Sequence, residues 1–311
     1  MSAIQIAQDA VNLNAPSIGV SALPGSITVT RTVTNVAATA TTWRSSVKAP
    51  AGYRVTVSPS TLTIAPGASA SFTVSFVNDG TGQVGQWTTG SLSWTNGYDY
   101  KVRSAIAVRG STFGAPASVA GTGTDGSLPS FSSQFGYTGP YSVTAHGLVP
   151  AKSLSETISK GEVVKFPFDA QDVGYARWSL KLPNGDLHPG DDLDMVLLDG
   201  TGKLVALSGN PGTDEQIDIN GLPDGSYILE VLGASVAVPD SAFTVSQWLV
   251  PAAPLDKPNL TVSAPDSGTL GTSADVTVAW DHLDPGTEYL GTITHADKST
   301  TLATTVVDIT T

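Results

Sequence analysis

The 311-residue chain has no cysteine, so neither disulfide staples nor thiolate metal sites hold it together and its fold must rest on core packing. No apolar run approaches the roughly 18 residues of a membrane-spanning helix. Met1–Ala10 lacks the basic start and apolar core of a signal peptide, so an export signal is expected outside this chain. Charged residues make up only 14% of the chain, and its 15 Lys and Arg are not clustered. That scarcity argues against a nucleic-acid partner, because neutralising phosphates requires gathered cations.

What is abundant is threonine, serine and valine, with 32 Gly and 20 Pro. Together they favour strands punctuated by turns, so an all-β chain is expected. A single core stops growing near roughly 250–300 residues, so more than one domain is expected. Charge supports a division. Residues 1–110 carry seven Lys/Arg against three Asp/Glu, whereas residues 111–311 carry eight against twenty-four, within a net charge of −12.

Along residues 1–110, seven strands are predicted at sandwich spacing, separated by turn signals such as "LPGS", "IAPGAS" and "TNGYD". In Ser26–Asn35, "SITVTRTVTN", Ile27, Val29 and Val33 alternate with four threonines as in a half-buried strand, but Arg31 occupies the apolar side. A lone buried arginine is costly. It must pair with a carboxylate, meet carbonyl oxygens, emerge at an interface, or snorkel from an edge strand.

Residues 111–124, "STFGAPASVAGTGT", are small and uncharged and read as a linker. Residues 125–250 follow as a second sandwich, in which "DGTG" at Asp199–Gly202 is predicted to close a hairpin between two apolar strands. Residues 251–311 offer four more strands, marginal as an independent core, and are expected as a small immunoglobulin-like β unit packed on the second domain.

Four collinear blocks, "NLNAPSIGV" (12–20), "TVTRTVTNV" (28–36), "VSPSTLTIAPGASASFTVSF" (57–76) and "GSLSWTNGYDYKVRSAIAVR" (90–109), resemble the fibronectin type III-like domain found downstream of the peptidase in subtilisin-like serine proteases. The second region, with "DDLDMVLLDGTGKLVALSG" and "GLPDGSYILEVLG", resembles the jelly-roll-like pre-peptidase C-terminal domains appended to secreted bacterial proteases. The resemblance implies tandem β-sandwiches, an extracellular or cell-surface location and a peptidase domain of the same parent protein as partner. It also implies roles in stabilising that peptidase and in protein-substrate recognition or surface attachment. The alternative is a stand-alone adhesin-like or carbohydrate-binding array. Docking on the peptidase would make Arg31 an interface candidate.

Catalytic machinery is sparse. The subtilase serine belongs to Gly-Thr-Ser-Met-Ala opening a helix, whereas "GTSA" at Gly271–Ala274 leads into the strand-like "DVTVAW". His146, His188, His282 and His295 all lie outside the family's His-Gly-Thr context, so no catalytic residue is assigned. For metals, Asp191, Asp192 and Asp194 are the calcium candidates, with Asp186, Asp214, Glu215 and Asp218 nearby, since calcium takes six to eight oxygens. No EF-hand spacing is present, and an acidic surface also serves solubility. The six tryptophans mostly occupy predicted strands, as core packing or as sugar- and peptide-binding surface. "NLT" at Asn259–Thr261 is a glycosylation sequon.

Overall fold

A computed structural model describes residues 11–97, 100–182, 190–237, 239–298 and 300–311, and every named element in it is a strand. Asp186, His188 and the Met1–Ala10 segment lie outside the described residues.

The first eight strands are β1 (Ile18–Leu23), β2 (Ser26–Thr34), β3 (Thr41–Lys48), β4 (Tyr53–Ser58), β5 (Thr61–Ile64), β6 (Ser69–Asn78), β7 (Trp87–Thr95) and β8 (Lys101–Gly110). They form a sheet of order β1-β8-β7-β3-β5 facing a sheet β2-β6-β4. The alternation in β2 is realised: Val29 is fully buried, while its threonines face outward and meet serines of β6, Thr28 with Ser75 at 2.9 Å and Thr32 with Ser71 at 2.8 Å. Phe72, Val74, Phe76, Leu92 and Trp94 fill the space between the sheets, Phe72 and Trp94 edge to face at 5.0 Å. Strand β5 is an addition to the seven expected: Thr61–Ile64 pairs antiparallel with β3, from Thr41↔Ile64 to Arg44↔Thr61.

Next come β9 (Phe113–Gly114), β10 (Ser118–Thr122), β11 (Gly126–Ser127), β12 (Phe131–Phe135), β13 (Gly139–Pro140) and β14 (Ser142–Pro150). Then follow β15 (Lys152–Ile158), β16 (Val163–Ala170), β17 (Val173–Lys181), β18 (Asp192–Asp199), β19 (Leu204–Ser208), β20 (Glu215–Leu222), β21 (Gly225–Ser235) and β22 (Ser241–Pro251). The chain ends with β23 (Leu260–Ser263), β24 (Ser267–Gly268), β25 (Ser273–Trp280), β26 (Glu288–Asp297) and β27 (Thr300–Thr310).

Strands β15 to β22 form two four-stranded antiparallel sheets, β15-β22-β17-β20 and β16-β21-β18-β19, the two-sheet, eight-strand arrangement of a jelly roll. Trp178, Leu180, Met195, Leu197, Leu229 and Phe243 are its core. The "DGTG" segment turns β18 into β19: the Asp199 carboxylate accepts from the Thr201 and Lys203 amides, and Gly202 takes φ +83°.

The strands on either side of this jelly roll pair with each other, in sheets β10-β27-β26-β14 and β11-β25-β12-β9, with β23 on β25. This corrects two expectations. Residues 251–311 are not a separate small unit. They complete sheets begun by residues 113–150, and the 152–251 jelly roll is inserted between the two halves. Nor are residues 111–124 a linker, since β10 runs parallel to β27 from Ser118↔Val306 to Thr122↔Thr310. Its small residues reflect close packing: a Cβ added at Gly121 would stand 2.5 Å from the Trp280 ring.

Candidate functional site

Arg31 is 6% exposed, and its Nη1 donates to the Val11 carbonyl at 2.8 Å and to the Thr30 carbonyl at 2.9 Å. Nη2 reaches the Ser17 carbonyl at 3.4 Å. Among the described residues no carboxylate answers it, and burial lowers its pKa. Of the options open to a buried arginine, the carbonyl network is the one realised. The side chain ties the segment before β1 to β2 and does not reach the surface as an interface residue would.

The three calcium candidates are not brought together. Asp191 is buried and accepts from the Ala237 amide at 2.7 Å and from the Ser241 hydroxyl. Asp192, on the opposite side of the chain by strand alternation, accepts from the Gly212 amide at 2.9 Å. Asp194 shares the Asp192 side and lies near Glu215, whose carboxylate accepts from the Ser208 hydroxyl and the Asn210 amide. Burial first, then the charges of Asp192 and Glu215, raises the Asp194 pKa. Among the described residues no group of three or more such side chains could hold a metal ion. Among the described residues the protein's own donors engage Asp191, Asp192 and Glu215 one by one.

The described histidines engage elsewhere than Ser273, which starts strand β25 opposite Gln134. His146 Nε2 meets the Thr294 hydroxyl at 2.8 Å, and burial lowers its pKa. His282 is exposed and pairs with Asp281 at 3.1 Å. His295 is fully buried between Tyr141 and Thr305. The sequon amide is also spent: Asn259 Nδ2 donates to the Leu148 carbonyl at 2.9 Å and its Oδ1 accepts from the Leu148 amide at 2.8 Å. Of the tryptophans, Trp87 is 51% exposed, with the Arg109 guanidinium 5.5 Å above its ring.

Two features went unread in the sequence. One is the seam between the jelly roll and its host, where Arg177 joins Asp218 at 2.6 Å to Asp308 at 3.0 Å and a cavity of about 210 Å³ opens beside Trp248 and Glu288. A mid-strand arginine in "YARWSLK" was the available signal. The other is a larger apolar cleft at one end of the first sandwich, lined by Trp43 and Trp94. Its only sequence signal was the apolar "NVAATA" run after β2.

Residues 12–108 match the family described as fibronectin type-III domain. Over 104 residues, 33% of the chain, the sequence is 33% identical to Subtilisin-like protease SBT3.16 of Arabidopsis thaliana, of which the alignment covers 14%. It is 29% identical over 180 residues, 54% of the chain, to pyrolysin of Pyrococcus furiosus, covering 12% of that protein. Among solved structures, the pre-peptidase C-terminal domain of a collagenase from Bacillus anthracis aligns with 32% of this chain and 89% of its own, at 15% identity and a TM-score of 0.26. The chain therefore matches only a small fraction of the length of these curated relatives. The first sandwich carries a fibronectin type-III domain, and over part of its length the chain is similar to subtilisin-like proteases.

Proposed function

We propose that this chain is the non-catalytic accessory region of a subtilisin-like serine endopeptidase acting outside the cell, where it stabilises the peptidase domain and helps present protein substrates or attach the enzyme to a surface. The observations that carry the reading are the match of residues 12–108 to the fibronectin type-III family and the likeness of about a third of the chain to several subtilisin-like proteases. The sandwich architecture suits this role, because its two-layer cores hold rigid faces without requiring a reactive centre.

The test begins with the parent reading frame, which is expected to encode a peptidase domain upstream. That enzyme, expressed with and without residues 1–311, should lose thermal stability and activity on casein when truncated, with smaller effects on a short chromogenic peptide. The isolated chain should hydrolyse neither. Turnover that survives repurification and disappears in Ser273→Ala would overturn the non-catalytic reading, and a parent without a peptidase would overturn the rest.

A further inference from the structure

The outer face of the five-stranded sheet gathers cations that lie scattered along the chain. Leu92 and Trp94 of β7 point into the core, so by alternation Ser91, Ser93 and Thr95 belong to the opposite face. Cross-strand pairing sets Arg44 of β3 and Lys101 of β8 on either side of Thr95, Ser46 and Arg103 on either side of Ser93, and Lys48 and Ala105 on either side of Ser91. Arg109 of β8 joins the same face opposite Trp87. Five of the seven Lys and Arg of residues 1–110 thus stand on one sheet face, and all five are exposed.

Among the described residues none of the five enters a salt bridge. The single acid among the described residues of this sandwich, Asp79, follows β6 of the other sheet, where its carboxylate accepts from the Thr81 amide at 2.9 Å and hydroxyl at 2.7 Å. The face is also shaped. Ser91 and Ser93 are 8% and 5% exposed, low between the cations of the two neighbouring strands. Those strands form rims roughly 10 Å apart, along which Arg44 and Lys48 are separated by roughly 13 Å and Lys101 and Arg103 by roughly 7 Å. Such a trough fits one extended chain lying along β7 with anionic groups on both flanks. The chain as a whole carries −12, but at physiological salt the Debye length is roughly 8 Å, so the face acts on what touches it.

We infer that this face binds an anionic polysaccharide, a chain of sugars bearing carboxylates or sulfates. Arg44, Lys48, Lys101 and Arg103 pair with the anionic groups, while the hydroxyls of Ser46, Thr89 and Thr95 meet those of the sugars. The sheet disfavours other polyanions. Main-chain groups of β7 are spent on β3 and β8, so an acidic polypeptide laid along the trough finds none for its own amides. Between the rims no aromatic ring offers a base a stacking platform, and a five-stranded sheet presented face on does not enter a duplex groove. This ligand follows from the face alone, with or without an attached peptidase.

The test uses the full chain with fluorescein-labelled oligogalacturonate and heparin oligosaccharides of matched length, followed by anisotropy at physiological ionic strength. Saturable binding to at least one is expected, and the tighter of the two identifies the anionic group. Affinity should fall with added salt and drop at least tenfold in Arg44→Glu and in the double variant Lys101→Glu, Arg103→Glu. Arg54→Glu makes the same charge change on the other sheet and should alter affinity less than twofold. All four positions are exposed, and unchanged melting of the variants checks their folding. The assignment is overturned if neither oligosaccharide binds, if neutral dextran competes as well as they do, or if Arg54→Glu weakens binding as much as Arg44→Glu. Polyglutamate or oligothymidylate of equal charge binding as tightly as the sugars would also overturn it, by making the occupant a polypeptide or a nucleic acid.

Discussion

Arg177 and Asp308 are 3.0 Å apart although 131 positions separate them in the chain. Arg177 belongs to the inserted jelly roll and Asp308 to the last strand of the sandwich that hosts it, and the same guanidinium holds Asp218 and the Tyr175 hydroxyl. Beneath them Tyr175, Trp248 and Val250 pack on Leu290 and Val306. Burial raises the Asp308 pKa, with Arg177 opposing the shift. The seam thus combines an apolar layer with an ion network that has only partial access to water.

Removing the cation should therefore uncouple the two sandwiches. Arg177→Ala leaves Asp218 and Asp308 without their partner, and because both are partly solvated the expected loss is about 2 kcal/mol rather than that of a fully buried pair. Calorimetry should show the transition of the jelly roll separating from that of its host. A change under roughly 0.5 kcal/mol, with no separation, would mean that the apolar layer alone holds the seam.

Arg31 offers a second prediction. Its guanidinium serves three carbonyl oxygens, two of them before β1, so no single-point ammonium can replace it. Arg31→Lys and Arg31→Ala should each destabilise the first sandwich by about 2–3 kcal/mol in urea denaturation. Rescue by lysine would show that charge, and not the fork of donors, is what the site needs.

The contrast between Arg31 and the acidic cluster shows where the sequence was legible. The two-residue period put Arg31 inside, and it is inside; the same period separates Asp191 from Asp192. The inserted jelly roll was legible as strands and a hairpin but not as an insertion. Pairings such as Ser118↔Val306 leave no local pattern, and Gly121 reads as flexibility until Trp280 is seen against it. The apolar cleft escaped for a similar reason, since Val33, Leu62 and Trp94 are ordinary core residues until the two sheets are seen to part above them.

The carboxylates of β18 give a third prediction. The Asp194 pKa is raised in the folded state, so its neutral form favours folding and that contribution is lost as pH rises through the raised value. Asp194→Asn should accordingly stabilise the chain at pH 7 by roughly 0.5–1 kcal/mol. Millimolar calcium and sodium chloride of matched ionic strength should shift the melting temperature alike relative to EDTA. A calcium-specific rise, abolished by Asp192→Asn, would restore the metal site.

His295 supplies the sharpest dependence on pH. Thr305 donates its hydroxyl proton to the Pro116 carbonyl at 2.7 Å, so at 2.9 Å from Nε2 it can only accept, and Nε2 carries the imidazole proton. Nδ1 is then the acceptor for the Tyr141 hydroxyl at 2.7 Å, while Phe113 and Phe131 close the site with apolar rings. Protonating Nδ1 would set two donors against each other in a dry pocket, and burial pushes the pKa of His295 down to about 4. An ordinary histidine takes up its proton near 6.5 when the chain unfolds, so between those values the unfolded state binds more protons than the folded one. Stability is thus complete above about pH 6.5, falls as pH drops, and by about pH 4 has lost roughly 3 kcal/mol through this group. Between pH 7 and pH 5, where most carboxylates stay ionised, the loss should be about 2 kcal/mol in the parent and should largely vanish in His295→Gln. His146, also lowered by burial, adds a change of the same sign, so His146→Gln serves as the control that separates the two. An NMR titration placing His295 near 6.5 in the folded chain would refute the assignment.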